Sequence, residues 1–127
     1  MVQVTKGPIA TQGPMAALRS SESGAVVAYL GTVRSSSEGR RIRRLVFEVA
    51  DSTLKESLGD IETEVRQKFD VQEVAILHRT GVLEVGDNIL FVAVSAGHRG
   101  PAFEACQYAI KRIKELHTRW KKEDYLL

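Results

Sequence analysis

Short β-branched apolar runs alternate along this chain with two stretches in which apolar residues recur every third or fourth position. Gly24–Arg34 (GAVVAYLGTVR), Glu73–Arg79 and Ile89–Ser95 are the apolar runs, and such residues fit a pleated, half-buried surface. Gly31 within the first run marks a bulge or a close backbone approach. Ile42–Ala50 alternates imperfectly but has a strand's composition, and pairing with the strand before it is expected. Leu54, Leu58, Ile61, Val65 and Phe69 step by four and three, which predicts a helix buried along one stripe and capped by Asp51 or Ser52. Val2–Thr5 alternates as a short strand. Met15–Arg19 fits a short helix inside the Gly-, Pro- and Ser-rich stretch Gly7–Ser23, while Ser35–Arg41 reads as a polar loop and Gly81–Asp87 as a turn.

The second periodic stretch follows Ser95. Pro101 suits the first turn of a helix, where its missing N–H costs nothing. At about 100° per residue, Cys106, Ala109, Ile110, Ile113, Leu116 and Trp120 share an arc with Phe103, which predicts the face that packs on the sheet. Carried on past Trp120, the same helix puts Lys114 and Lys121 almost in line at the edge of that arc. Lys111, Glu104, Glu115 and Lys122 fall on the solvent side. The order ββαββα predicts an α+β fold, an antiparallel sheet with helices packed on one face, as a single domain over residues 1–127.

Composition narrows the function classes. With 127 residues, 43% apolar and 27% charged, the chain is long enough to bury a core without a disulfide or structural metal. Cys106 is its only cysteine, so it has no intrachain disulfide, and no His, Asp or Glu spacing suggests a metal site. No apolar run approaches the ~20 residues of a membrane span and no signal pattern opens the chain; a cytoplasmic protein is expected. A net charge of +2 is too small to imply nucleic-acid binding.

What matters is where the positive charges sit. Gly97-His98-Arg99-Gly100-Pro101 places an imidazole and a guanidinium at a helix N-terminus, whose free N–H groups and dipole attract anions. Lys114 and Lys121 can lay their stems along apolar surface while their amines reach a neighbouring cleft. A boundary lysine of this kind is usually a snorkelling side chain. Two aligned with a cationic turn favour a site for a phosphorylated or carboxylated small molecule.

Five segments, in order and similarly spaced, carry a family resemblance: Gly24–Arg34, Ile76–Asp87 (ILHRTGVLEVGD), Val94–Arg99 (VSAGHR), Ala102–Ala105 (AFEA) and Trp120–Glu123 (WKKE). Over residues 24–123 the chain resembles the large, catalytic subunit of molybdopterin synthase, the MoaE family. The resemblance implies an α/β hammerhead fold with an added antiparallel sheet. It implies a sulfurtransferase that converts cyclic pyranopterin monophosphate to molybdopterin, with no cofactor of its own. The sulfur donor would be the C-terminal thiocarboxylate of a small ubiquitin-like carrier ending in Gly-Gly. The assembly would be a homodimer within a heterotetramer, acting without nucleic acid or membrane.

Position by position, the family's anion-binding residues fall on Arg34, His98 and Arg99, its essential lysines on Lys114 and Lys121, and its pocket-lining positions on Tyr29 and Ile110. Arg34, His98 and Arg99 are expected to converge. Arginine offers a fork to phosphate or carboxylate. A lysine can act as nucleophile or proton shuttle once desolvated, or as a charge that stabilises a developing oxyanion; Lys114 is expected nearest the chemistry and Lys121 as a positioning charge. Relatives commonly extend beyond the WKKE element with an arginine for the neighbouring subunit's pocket. Here either Arg40 or Arg41 completes the pocket or it stays more open.

Other residues have plainer readings. Cys106 lies in the apolar arc as a structural thiol, and His117 is a packed core imidazole rather than a catalyst. His78 and Arg79 are structural or sit at the rim of a carrier interface. Two alternatives remain for the chain as a whole: an inactive scaffold relative of the subunit, or a nucleic-acid-binding module using Arg40, Arg41, Arg43 and Arg44. The basic cluster has only Phe47 nearby for base stacking, which weakens the second.

Overall fold

The computed structural model describes residues 1–126. The elements are β1 (Val2–Thr5), α1 (Gln12–Ala17), β2 (Ala25–Thr32), β3 (Ser36–Ser37), β4 (Arg40–Phe47), α2 (Asp51–Lys68), β5 (Glu73–Arg79), β6 (Gly81–Glu84), β7 (Asn88–Ala96), α3 (Arg99–Trp120) and β8 (Lys121–Tyr125). The class is α+β, as the sequence predicts. The pairings differ from a simple succession of hairpins.

One sheet has the order β1-β5-β7-β2. Its β5–β7 and β7–β2 ladders are antiparallel, whereas β1 joins β5 in parallel, Val2 opposite Ile76. Both faces of its centre are covered. Val74, Ile76, Leu90, Val92 and Val94 meet the stripes of α2 and α3, including Leu54, Leu58, Ile61, Val65, Ala109 and Ile113. The alternate residues Ala75, Leu77, Phe91 and Ala93 meet Ile9, Met15 and Leu18 around α1. Burial on both faces explains why β5 and β7 read as continuous apolar runs. The two long helices α2 and α3 share one face, as expected, and the short α1 lies on the other.

The second sheet holds β3, β4 and β6, with β8 on the other edge of β4. Two expectations are corrected here. Strand β4 pairs with β6 and β8, not with β2, whose partner is β7. The final helix ends at Trp120, and Lys121–Tyr125 is a strand. Helical periodicity could not reveal this. Lys121 and Lys122 are good helix formers, and only tertiary pairing with Arg44–Phe47 selects the extended form. Likewise Gly81–Glu84 pairs as β6 although its glycines suggested turn alone. Gly81, which opens that strand, and Gly86, just after it, have positive φ at 87° and 91°.

A small core of Val33, Ile42, Leu45, Phe47 and Leu83 fills the second sheet. Ile89 packs against both this core and the main one. The seam between the two sheets is where the site forms. Among the described residues no helix is long and apolar enough to cross a membrane.

Candidate active site

A cavity of about 300 Å³ opens at this seam, lined by Tyr29, Arg34, Lys114, His117, Lys121 and Glu123 over a floor that includes Ile42, Leu45 and Leu90. Each polar group arrives by a different element. Tyr29 comes from β2, two residues before the register shift at Gly31/Thr32. A Cβ at Gly31 would lie 3.3 Å from the Tyr29 ring, so the phenol lies across the glycine and would have to give way slightly to a side chain there. Arg34 follows β2 in a loop pinned to the β6–β7 turn by Val33 N–H donating to the Asp87 carbonyl and Gly86 N–H to the Val33 carbonyl, both 2.9 Å.

Lys114 projects from α3, its Nζ 5.8 Å from the Tyr29 ring centre. It makes no ion pair among the described residues, so it is a free cation over an aromatic face. Lys121 reaches the same cavity by strand alternation. On β8, Lys121 and Glu123 stand opposite Phe47 and Leu45 of β4 and share their inward face, while Lys122 faces away and pairs with Glu48 at 2.8 Å. The Lys121 ammonium lies 3.8 Å from Glu123 Oε1, and the Tyr125 hydroxyl donates to Glu123 Oε2 at 2.6 Å. The Tyr125 hydroxyl, then Lys121, Ser37 and Arg34, hold the Glu123 carboxyl below its ordinary range against the opposing effect of burial. Glu123 is therefore ionised and engaged, and it leaves the cleft with a net positive balance.

Beneath the lysines lies a histidine pair. His78, fully buried on β5, has Nδ1 2.7 Å from its neighbour Arg79's carbonyl oxygen and Nε2 2.8 Å from His117 Nε2. Phe47 stacks edge-on against both imidazoles at 4.9 Å. Burial pushes His78 down to about 4. Burial, then the charges of His78, Lys121 and Lys114, push His117 down to about 3. His117 is thus a cleft-lining residue as well as a packed one, which its place in the apolar arc did not disclose. Glu123 was also missed as a site residue. The signal for both was their spacing from the two lysines.

The other expected positions lie elsewhere. His98 and Arg99 are exposed at the N-terminus of α3. Arg34 lies beyond the Thr32–Asn88 end of the β2–β7 ladder and His98 beyond the Ala25–Ala96 end, roughly 25 Å apart at about 3.3 Å per residue. The expected convergence of Arg34, His98 and Arg99 within one chain is therefore corrected: strand length forbids it. Ile110 packs on the main core one turn before Lys114, outside the cavity lining. Neither Arg40 nor Arg41 lines the cavity. Arg40 stacks over Tyr125 at 3.8 Å and Arg44 pairs with Asp124 at 2.9 Å, so the basic cluster is partly spent on its own β8 edge. Cys106 is buried, with its thiol 3.8 Å from the Val92 carbonyl oxygen, and burial raises it to about 11. It is a structural thiol.

Comparison with known proteins gives a consistent picture. The family model described as MoaE protein matches residues 4–116. The molybdopterin synthase catalytic subunit of Bacillus subtilis is 39% identical over 121 residues, covering 95% of this chain and 77% of that protein. The protein of the same name from Pyrococcus abyssi is 38% identical over 109 residues, covering 86% and 74%. Among solved structures, molybdopterin synthase from Staphylococcus aureus superposes with a TM-score of 0.87 at 31% identity, covering 98% of this chain and 90% of that one.

Proposed function

The chain belongs to the MoaE protein family, and on that premise we propose that it is the catalytic subunit of a molybdopterin synthase. In this reading it transfers sulfur from the C-terminal thiocarboxylate of a small Gly-Gly carrier to cyclic pyranopterin monophosphate. The observation that carries the proposal is the shared cavity of Arg34, Lys114 and Lys121 beside Tyr29. Arg34 suits the phosphate as a two-pronged donor. Tyr29 offers a face to the pterin, and the free Lys114 ammonium is the group placed to stabilise the oxyanion that forms when the thiocarboxylate carbon is attacked. Lys121, tethered to Glu123, holds charge and position.

His98 and Arg99 fit this scheme through a second copy. They cannot reach their own chain's cleft, and the family resemblance implies a homodimer, so the partner's turn is assigned to the cleft of this copy. Two halves of the anion site would then meet across the interface.

The test is turnover with thiocarboxylated carrier and pterin precursor. The wild-type protein should form molybdopterin. A mixture of Lys114→Ala and Arg99→Ala copies, each nearly inactive alone, should regain part of the activity because mixed dimers contain one intact cleft. No product from the wild-type protein sinks the reading, and an inert mixture removes the shared-site assignment.

A further inference from the structure

With both imidazoles kept neutral by burial, and His117 also by the neighbouring Lys121 and Lys114 charges, the histidine pair has only one self-consistent proton arrangement. The Arg79 carbonyl can only accept, so His78 Nδ1 carries a proton and donates to it. A fully buried imidazole with no carboxylate bonded to it stays neutral, so His78 Nε2 is a lone pair. His117 Nε2, 2.8 Å away, must then be the donor. A neutral His117 protonated at Nε2 has a bare Nδ1. Among the described residues, Gln72 Oε1 is the one buried side-chain polar atom lacking a partner. His117 Nδ1 makes no hydrogen bond among the described residues and is not one of the buried unpartnered atoms, so it is accessible, and the cavity that His117 lines is this cleft.

That atom differs from the charged groups of the cavity. Arg34, Lys114 and Lys121 are cationic donors, and Glu123 is engaged by Tyr125 and Lys121. We propose that His117 is a specificity-determining residue of this cleft: its Nδ1, kept bare by the hydrogen-bonded chain through His78 to the Arg79 carbonyl, accepts a hydrogen bond from a ring N–H of the bound heterocycle. This rests on the reading above, in which that heterocycle is a pterin. The donors serve the anionic end of the substrate and His117 reads the donor edge of its ring. A locked tautomer distinguishes a ring that presents N–H from one that presents a lone pair, because the latter would face a lone pair across the contact.

Two measurements decide it. Nitrogen NMR of the histidine-labelled protein should show His117 protonated at Nε2 and neutral throughout the neutral range, with its Nδ1 resonance moving when a stable pterin monophosphate is added. A proton on Nδ1, titration near the ordinary value of about 6.5, or an Nδ1 signal indifferent to the pterin would overturn the proposal. These outcomes need no turnover, so they stand even if the wild-type protein makes no product and the sulfur-transfer reading fails. With turnover, His117→Ala should raise the KM for the precursor about five- to tenfold, the worth of one hydrogen bond, and leave kcat within about twofold. His117→Asn restores an oxygen near Nδ1 without the link to His78, while His117→Gln restores the link without the acceptor. Rescue of KM by Asn supports the proposal. Rescue by Gln alone would make His117 a structural strut and overturn it.

Discussion

Lys114 and Lys121 look equivalent in sequence, but their surroundings divide them. Among the described residues Lys114 is an unpaired cation over Tyr29, whereas Lys121 shares its charge with Glu123. Lys114→Ala is expected to lower kcat by about 10²–10³, the usual loss when one transition-state charge contact is removed, and to leave the fold intact. Lys121→Ala should cost less, because Glu123 already neutralises part of its field. Lys111→Ala and Lys122→Ala should stay near wild type: Lys111 is exposed, and Lys122 makes a surface pair with Glu48 worth at most about 1 kcal/mol. Equal rates in all four variants, measured with thiocarboxylated carrier, would refute the assignment.

At the scale of elements, periodicity was a good guide wherever burial was local. The α2 stripe Leu54, Leu58, Ile61 and Val65 is buried as its spacing predicts, and the apolar runs of β2, β5 and β7 are strands. Partnership was not legible. The parallel β1–β5 ladder and the pairing of β2 with β7 depend on contacts between residues 56 to 74 positions apart in the chain, which no local pattern encodes. Of the candidate site, the two lysines, Arg34 and Tyr29 were found by charge and motif, yet Lys121 was reached through a helix that ends before it. Position seven residues on from Lys114 suggested the right face by the wrong geometry. The remote placement of His98 and Arg99 followed from strand length once the pairing was known, and from nothing earlier.

The molecule as a whole carries two neutral histidines at its centre, and this sets its response to acid. Their folded values of about 4 and about 3 lie below the unfolded value of 6.5. The unfolded chain therefore binds more protons between pH 6.5 and about 4, and stability present above 6.5 is lost as pH falls through that window. The slope from His78 alone approaches about 1.4 kcal/mol per pH unit; His117, partly open to the cleft, adds a smaller share. Urea denaturation at pH 7.5, 6.5 and 5.5 should show the decline beginning near 6.5. A flat profile would mean that the pair titrates in the folded protein as it does in the unfolded chain.

The join at Trp120 and Lys121 leads from the helix packed on one sheet straight into a strand of the other, with no spacer residue between them. The chain therefore behaves there like a ratchet with a two-residue tooth. One glycine inserted at the join would keep the β4–β8 ladder only by turning every β8 side chain over: Lys122 and Asp124 would enter the cavity, and Lys121 and Glu123 would face water. Composition and net charge would be essentially unchanged, yet turnover should be lost, and a second inserted glycine should bring part of it back by restoring the parity. Activity that survived the single insertion would show that the inward pair on β8 is dispensable.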